Sequence, residues 1–207
     1  MSIPNFGFVH TYVPAATNDS TRTLVLLHGT GGNEEDLIPL GKALAPGAAL
    51  LGVRGNVLEG SAPRFFRRLA EGVFDEDDIV LQSRALANFL EKAAEHYGFT
   101  MEGLVAVGYS NGANIAASLL LLHPNTLGGA VLFRSMLPLV PPTLPSLDGK
   151  RILMESGRMD PIVPADSVER LKHIFEECKA DVSLNWNNAS HGLTNPEILR
   201  ASRWLQG

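Results

Sequence analysis

The sequence predicts an α/β protein: a mostly parallel central sheet with helices on both faces and no large lid domain. Three observations point there. Short apolar runs alternate with stretches of helical period along nearly the whole chain, the pattern of parallel strands joined by helical crossovers. One apolar run, residues 104–107, ends in the tight turn Gly108-Tyr109-Ser110-Asn111-Gly112 and continues as a small-residue, apolar helical run. Finally, 207 residues, 45% hydrophobic and 19% charged, suffice for one domain, 1–207, with a sizeable core.

Residues 8–13 alternate apolar and polar like an edge strand. Asn18-Asp19-Ser20 is turn chemistry. Thr23–Leu27 reads TLVLL, apolar on both faces as a buried parallel strand must be. The glycine-rich loop His28-Gly29-Thr30-Gly31-Gly32 follows, with His28 expected to brace it. Asn33 then stands where it would cap a helix over 34–45, with Glu34, Glu35 and Asp36 in its first turn. Residues 48–53 form the next strand. The segment 54–72 is too long and irregular for a mere connection, and such loops are commonly functional or disordered.

Residues 78–97 place Leu86, Phe89, Leu90, Ala93 and Tyr97 on one helical stripe, and Gly98 stops the helix. The central strand, turn and helix come next, and Pro124 ends that helix. Gly129–Phe133 is a buried strand with a proline- and leucine-rich outgoing loop, 134–148. A strand over 151–155 leads to the loop Gly157-Arg158-Met159-Asp160-Pro161. A helix from Pro164 carries Val168, Leu171, Phe175 and Cys178 inward. The last strand, 182–186, opens into the polar loop 187–192. Thr194 and Glu197 have capping-box spacing for a final helix to about Leu205.

Several classes are excluded. The formal net charge of -5 argues against nucleic-acid binding. The most apolar stretch, residues 115–122, is far shorter than the ~20 residues of a membrane span. The N-terminus lacks the basic start and continuous apolar core of a signal peptide. The single cysteine, Cys178, allows no intramolecular disulfide, which fits a cytoplasmic protein, and its helical position marks it as packing. No histidine has metal-ligand spacing with another His or Cys, so neither metal nor cofactor is expected.

The chemistry centres on Ser110. A G-x-S-x-G match arises by chance in such a chain with a probability of roughly 0.1. Its strand–turn–helix setting is what gives it weight, since a nucleophilic serine must stand on a strained turn above a sheet. A serine hydroxyl also needs a base. His191, in the loop after the last strand, can take its proton and return it to the leaving group. Asp160 would hold the imidazole in the right tautomer, a role compatible with an Asx turn before Pro161. The chain order Ser110, Asp160, His191 is that of the α/β-hydrolase fold. Two N–H donors would serve an oxyanion hole, those of Thr30 and Asn111. In parallel sheets, ligands bind beyond the carboxyl ends of the strands, and all these loops leave those ends.

The motifs LVLLHGTGGNEEDL, GYSNGAN, RMDPIVP and ASHGL together resemble the phospholipase/carboxylesterase family of α/β-hydrolases, small serine esterases that include acyl-protein thioesterases. The resemblance covers nearly the whole chain. The segment RGNVLEGSAPRFFRRLAEGVFDEDD resembles a bacterial branch linked with resistance to quinones and hydroquinones. By that resemblance Ser110, Asp160 and His191 are the triad, and Thr30 and Asn111 the oxyanion donors. Acyl-protein thioesterases usually carry leucine at the place of Thr30 and glutamine at that of Asn111. The family often has a small Ser-Gly pair where this chain has Arg134-Ser135, and commonly a glycine where it has Ser190. These departures leave the catalytic atoms in place and bear on the substrate.

The expected activity is hydrolysis of short-to-medium acyl esters through an acyl-enzyme. Thioesters, lysophospholipids and ring-cleavage products of aromatics are alternative substrates. A non-catalytic ligand-binding protein on the same fold is a more distant alternative. Phe65 and Phe66 are expected to wall the pocket, with Leu137, Leu139 and Leu193 beside them. One of Arg64, Arg67 and Arg68 would bind a substrate carboxylate, the alternative being a solvated basic helix face over two core phenylalanines. The loop over 137–145 would shape the pocket mouth or supply an apolar homodimer patch. With an imidazole base, activity rises with pH through about 6 to 7.5.

Overall fold

The computed structural model describes residues 6–17 and 22–207; the turn expected at 18–20 lies outside them. In chain order the elements are β1 His10–Val13, β2 Thr23–Leu27, α1 Ile38–Leu44, β3 Ala49–Val53, β4 Val57–Glu59, β5 Ala62–Arg64, β6 Arg68–Ala70, β7 Val73–Phe74 and α2 Glu76–Tyr97. Then follow β8 Leu104–Tyr109, α3 Asn111–Leu122, β9 Gly129–Phe133, β10 Arg151–Gly157, α4 Ala165–Glu177, β11 Asp181–Asn187 and α5 Asn195–Gln206.

Seven strands form one sheet in the order β1-β3-β2-β8-β9-β10-β11. Only β1 runs antiparallel, against β3; the other pairings are parallel. The strands explain the two-sided core through their period of two. Val25, Leu27, Ala130, Leu132, Ile152 and Met154 face α2, α3 and α4. Leu24, Leu26, Val131, Phe133 and Leu153 face the other way, towards α1 and α5. The fold is thus an α/β-hydrolase sheet covered on both faces, and the described residues contain no lid domain. Cys178 is buried in the larger core, where burial pushes its thiol up.

Strand ends shift by up to two residues, and three larger features differ from expectation. The helix expected over 34–45 begins only at Ile38. Pro39 is the reason: deep in a helix it would remove an N–H and press on the preceding turn, so it is confined to the first turn. Asn33 instead caps a turn, its Oδ1 accepting from the Glu35 N–H at 2.8 Å. Helix α2 starts two residues early because Asp75 caps it, accepting from the Asp78 N–H at 3.1 Å. The segment 54–72 is not irregular but lies within two small antiparallel hairpins, β4–β5 and β6–β7.

Candidate active site

The turn from β8 into α3 forces Ser110 into φ 53°, ψ −116°, a conformation L-residues rarely adopt. Two close approaches make it. A Cβ on Gly108 would collide with the backbone of Gly112 and Ala113, and one on Gly112 with the carbonyls of Leu27 and His28. The helix therefore starts hard against its own strand and against β2, and the serine is left at the crest. Its N–H donates to the Phe133 carbonyl at 2.9 Å, tying the turn to β9.

His191 meets Ser110 from the loop after β11, its Nε2 3.0 Å from Oγ. Its Nδ1 lies 2.8 Å from Asp160 Oδ2. A carboxylate only accepts, so Nδ1 carries the proton and Nε2 is free to accept from the serine hydroxyl. The Asp160 side chain is fully buried, and its other oxygen accepts the N–H groups of Ile162 and Val163 at 2.9 and 3.2 Å. The Asx turn and the histidine contact thus use different oxygens of one carboxylate. Tyr109 donates its hydroxyl to the His191 carbonyl at 3.1 Å. Burial raises the Tyr109 pKa, which keeps that phenol a donor.

Thr30 lies in the loop after β2. The Thr30 and Asn111 N–H groups engage no acceptor among the described residues, and the second opens a helix, where an intrahelical acceptor is lacking by construction. Four contacts hold this side of the site. Asn111 Oδ1 accepts from the Phe65 N–H at 2.7 Å. Arg64 donates to Thr30 Oγ1 at 2.7 Å. His28 accepts the Gly55 N–H at Nε2, 3.0 Å away, and its Nδ1 faces the Gly29 carbonyl at 2.6 Å. Both contacts demand the neutral Nδ1–H tautomer. Burial lowers the His28 pKa, and the Gly29 contact only partly opposes it.

The cleft at Ser110 has a polar wall of Thr30, Arg64 and Arg68 and an apolar wall of Phe74, Met136, Ile162 and Val163. Of the residues expected to shape it, Arg64 and Arg68 are there. The Arg64 guanidinium pairs with Glu59 at 3.1 Å, and Arg68 binds the same carboxylate at 2.9 Å. Burial and the neighbouring Arg68 lower the Arg64 pKa, with Glu59 opposing. Phe65 and Phe66 do not line the cleft. They sit fully in the core, Phe65 against His28 and Phe66 against Phe74, with centroids 4.9 and 5.2 Å apart. Arg67 pairs with Asp75. Leu137 packs against the larger core, as buried Leu139 does, and Leu193 against the α1–α5 side. Phe74 takes the aromatic place in the wall. Ile162 and Val163 belong to the RMDPIVP motif, the one signal by which they were readable. Among the described residues no group of three or more His, Cys, Asp or Glu is arranged to hold a metal.

Comparison with known proteins adds to this geometry. A profile described as the dienelactone hydrolase family matches residues 59–201. MhqD of Bacillus subtilis (strain 168) is 46% identical over 187 residues, 90% of this chain and 94% of that protein. The crystal structure of a Bacillus cereus carboxylesterase superposes with a TM-score of 0.94 at 45% identity, covering 98% of this chain and 95% of that one. A Mesorhizobium loti carboxylesterase gives 0.89 at 31% identity, covering 97% and 95%. YahD, solved with malic acid, gives 0.91 at 26% identity, covering 96% and 98%.

Proposed function

The chain belongs to the dienelactone hydrolase family and is a hydrolase, and from that premise we propose that it is a serine carboxylesterase acting on short-to-medium acyl esters. The unbroken chain of hydrogen bonds from Asp160 through His191 to Ser110 carries this proposal. Ser110 Oγ attacks the ester carbonyl while His191 Nε2 takes its proton. The tetrahedral oxyanion accepts the N–H groups of Thr30 and Asn111, each worth on the order of 3 kcal/mol in the transition state. His191 returns the proton to the leaving alkoxide, and the acyl group stays on Ser110. Water then attacks with His191 again as base, and Ser110 leaves protonated. Asp160 fixes the tautomer and stabilises the imidazolium. We take residues 1–207 as one catalytic domain. The lone, free Cys178 fits a reducing compartment, and we place the enzyme in the cytoplasm on that basis.

The test is turnover of p-nitrophenyl acetate, butyrate and octanoate by wild type and Ser110→Ala. Loss of turnover by at least about 10⁴-fold in the folded variant is expected. Variant and wild type equally active, or a folded wild type inert towards esters and thioesters alike, would contradict the proposal. The second outcome favours a ligand-binding protein.

One observation favours a narrower substrate. Arg64, almost fully buried, faces the cleft beside Ser110, and YahD was solved with a dicarboxylate, malic acid. An ester that carries a carboxylate, such as a ring-cleavage product of an aromatic, fits this site. Arg64→Ala is then expected to raise KM for acidic esters roughly tenfold or more relative to neutral esters, any cost of the lost Thr30 contact falling on both alike. Equal effects on both would remove the carboxylate from the substrate.

A further inference from the structure

Arg134 is fully buried and is among the largest fully buried side chains of the described residues. It follows β9 directly and adopts φ 58°, one of three described non-glycine residues with positive φ, Ser110 being another. Its guanidinium faces the histidine loop. Nε donates to the carbonyls of Ser190 and His191 at 3.0 and 3.1 Å, and one terminal nitrogen to that of Gly192 at 2.6 Å. Three successive carbonyls around the base therefore converge on one cation. The other terminal nitrogen reaches the Glu155 carbonyl at 3.1 Å. Glu197, equally buried, grips the guanidinium through both carboxylate oxygens, at 2.5 and 3.1 Å. The same carboxylate accepts the N–H and hydroxyl of Thr194 at 2.7 and 2.6 Å. Burial alone would raise the Glu197 pKa, but the contacts to Arg134 and Thr194 outweigh it and lower it.

A buried ion pair is a poor device for stability, since desolvation cancels much of its attraction and an apolar pair often serves as well. Its strength is geometric: a planar fork with five donors fixes several acceptors at once. Nothing in the esterase chemistry above uses Arg134, yet every carbonyl from 190 to 192 ends on it. We propose that Arg134, clamped by Glu197, is the positioning residue of His191: it sets the loop so that Nε2 meets the Ser110 hydroxyl. This rests on the triad proposed above. Arg134 also borders the cleft, but its guanidinium bonds no side chain of Ser110, Asp160 or His191 and acts through the backbone of residues 190–192. A displacement of the imidazole by about 1 Å can lower turnover about a hundredfold.

The experiment compares wild type, Arg134→Lys and Val168→Ala. Lysine keeps the charge opposite Glu197 but cannot span three carbonyls and a carboxylate. Val168 is a fully buried α4 residue of the larger core with no part in the Arg134 contacts, and serves as a matched loss of core stability. All are assayed on p-nitrophenyl acetate well below their melting temperatures. A second readout is the low-field NMR signal of the His191 Nδ1 proton. Expected for Arg134→Lys is a kcat lower by roughly ten- to a hundredfold, a KM within about twofold of wild type, and an imidazole signal shifted or broadened. Val168→Ala should melt at a comparably reduced temperature with kcat and signal intact. Arg134→Lys with wild-type kcat and signal, or both variants losing kcat alike, would overturn the proposal. Should wild type lack Ser110-dependent turnover, the esterase assignment falls instead, and the imidazole signal still decides the role of Arg134.

Discussion

At the scale of single residues, the site depends on atoms that have two uses. Asp160 spends one oxygen on His191 and the other on two backbone N–H groups. Asp160→Asn keeps an acceptor for the turn but disturbs the imidazole tautomer. It is expected to melt near wild type while kcat falls roughly 10⁴-fold. Asp160→Ala loses the turn as well and should cost about a further 1–2 kcal/mol in chemical denaturation. Equal stability of the two variants would show that the turn contacts contribute nothing. Gly112 has a different constraint. Any Cβ there strikes the carbonyl ends of Leu27 and His28, which are backbone and cannot swing aside. Gly112→Ala should destabilise by more than about 2 kcal/mol, read as a lowered denaturation midpoint. Arg134 stands at the place where the resembling family often has a small pair, and the buried Glu197 explains how so large a cation is accommodated there.

At the scale of elements, His28 joins the loop after β2 to the chain entering β4. Its neutral form is required by the Gly55 N–H that it accepts. Its folded pKa is lowered, so the unfolded chain binds the proton more readily. Stability from this group is therefore complete above the ordinary imidazole value of 6.5 and is lost as pH falls from there towards the folded value. Wild type should lose more melting temperature between about pH 7 and pH 5 than His28→Asn, which cannot titrate. Equal losses would remove His28 from the acid sensitivity of this loop. Elements of this kind were unevenly legible in the sequence. The apolar run of β2 and the stripe of α2 announce themselves, because burial on both faces or on one stripe dictates their composition. Strands β4 to β7 have two or three residues each, too few for any period to be read. The acid-rich run before α1 imitates a first turn, and only Pro39 marks the true start. Ser110, Asp160 and His191 could be named because each leaves the carboxyl end of a parallel strand. The cleft wall could not, since nothing in the sequence separates Phe66, buried in the core between the two hairpins, from Phe74, which lines the cleft from β7.

At the scale of the whole molecule, the sheet order places β8 between β2 and β9. The loops after β2 and β9 therefore flank the serine turn, while those after β10 and β11 supply Asp160 and His191. No described helix is long and apolar enough to cross a membrane. Among the described residues no lid domain stands over the cleft. Short-chain p-nitrophenyl esters should therefore be turned over faster than emulsified long-chain triglyceride; the reverse preference would contradict the proposed short-to-medium acyl specificity. The most direct test of the central claim is covalent labelling with a fluorophosphonate, read by intact mass and peptide mapping. Ser110 in hydrogen-bonded contact with His191 should give one adduct, on the peptide containing Ser110, and none in Ser110→Ala. A folded wild type that takes no label, or a label carried on another residue, would contradict Ser110 as the activated nucleophile.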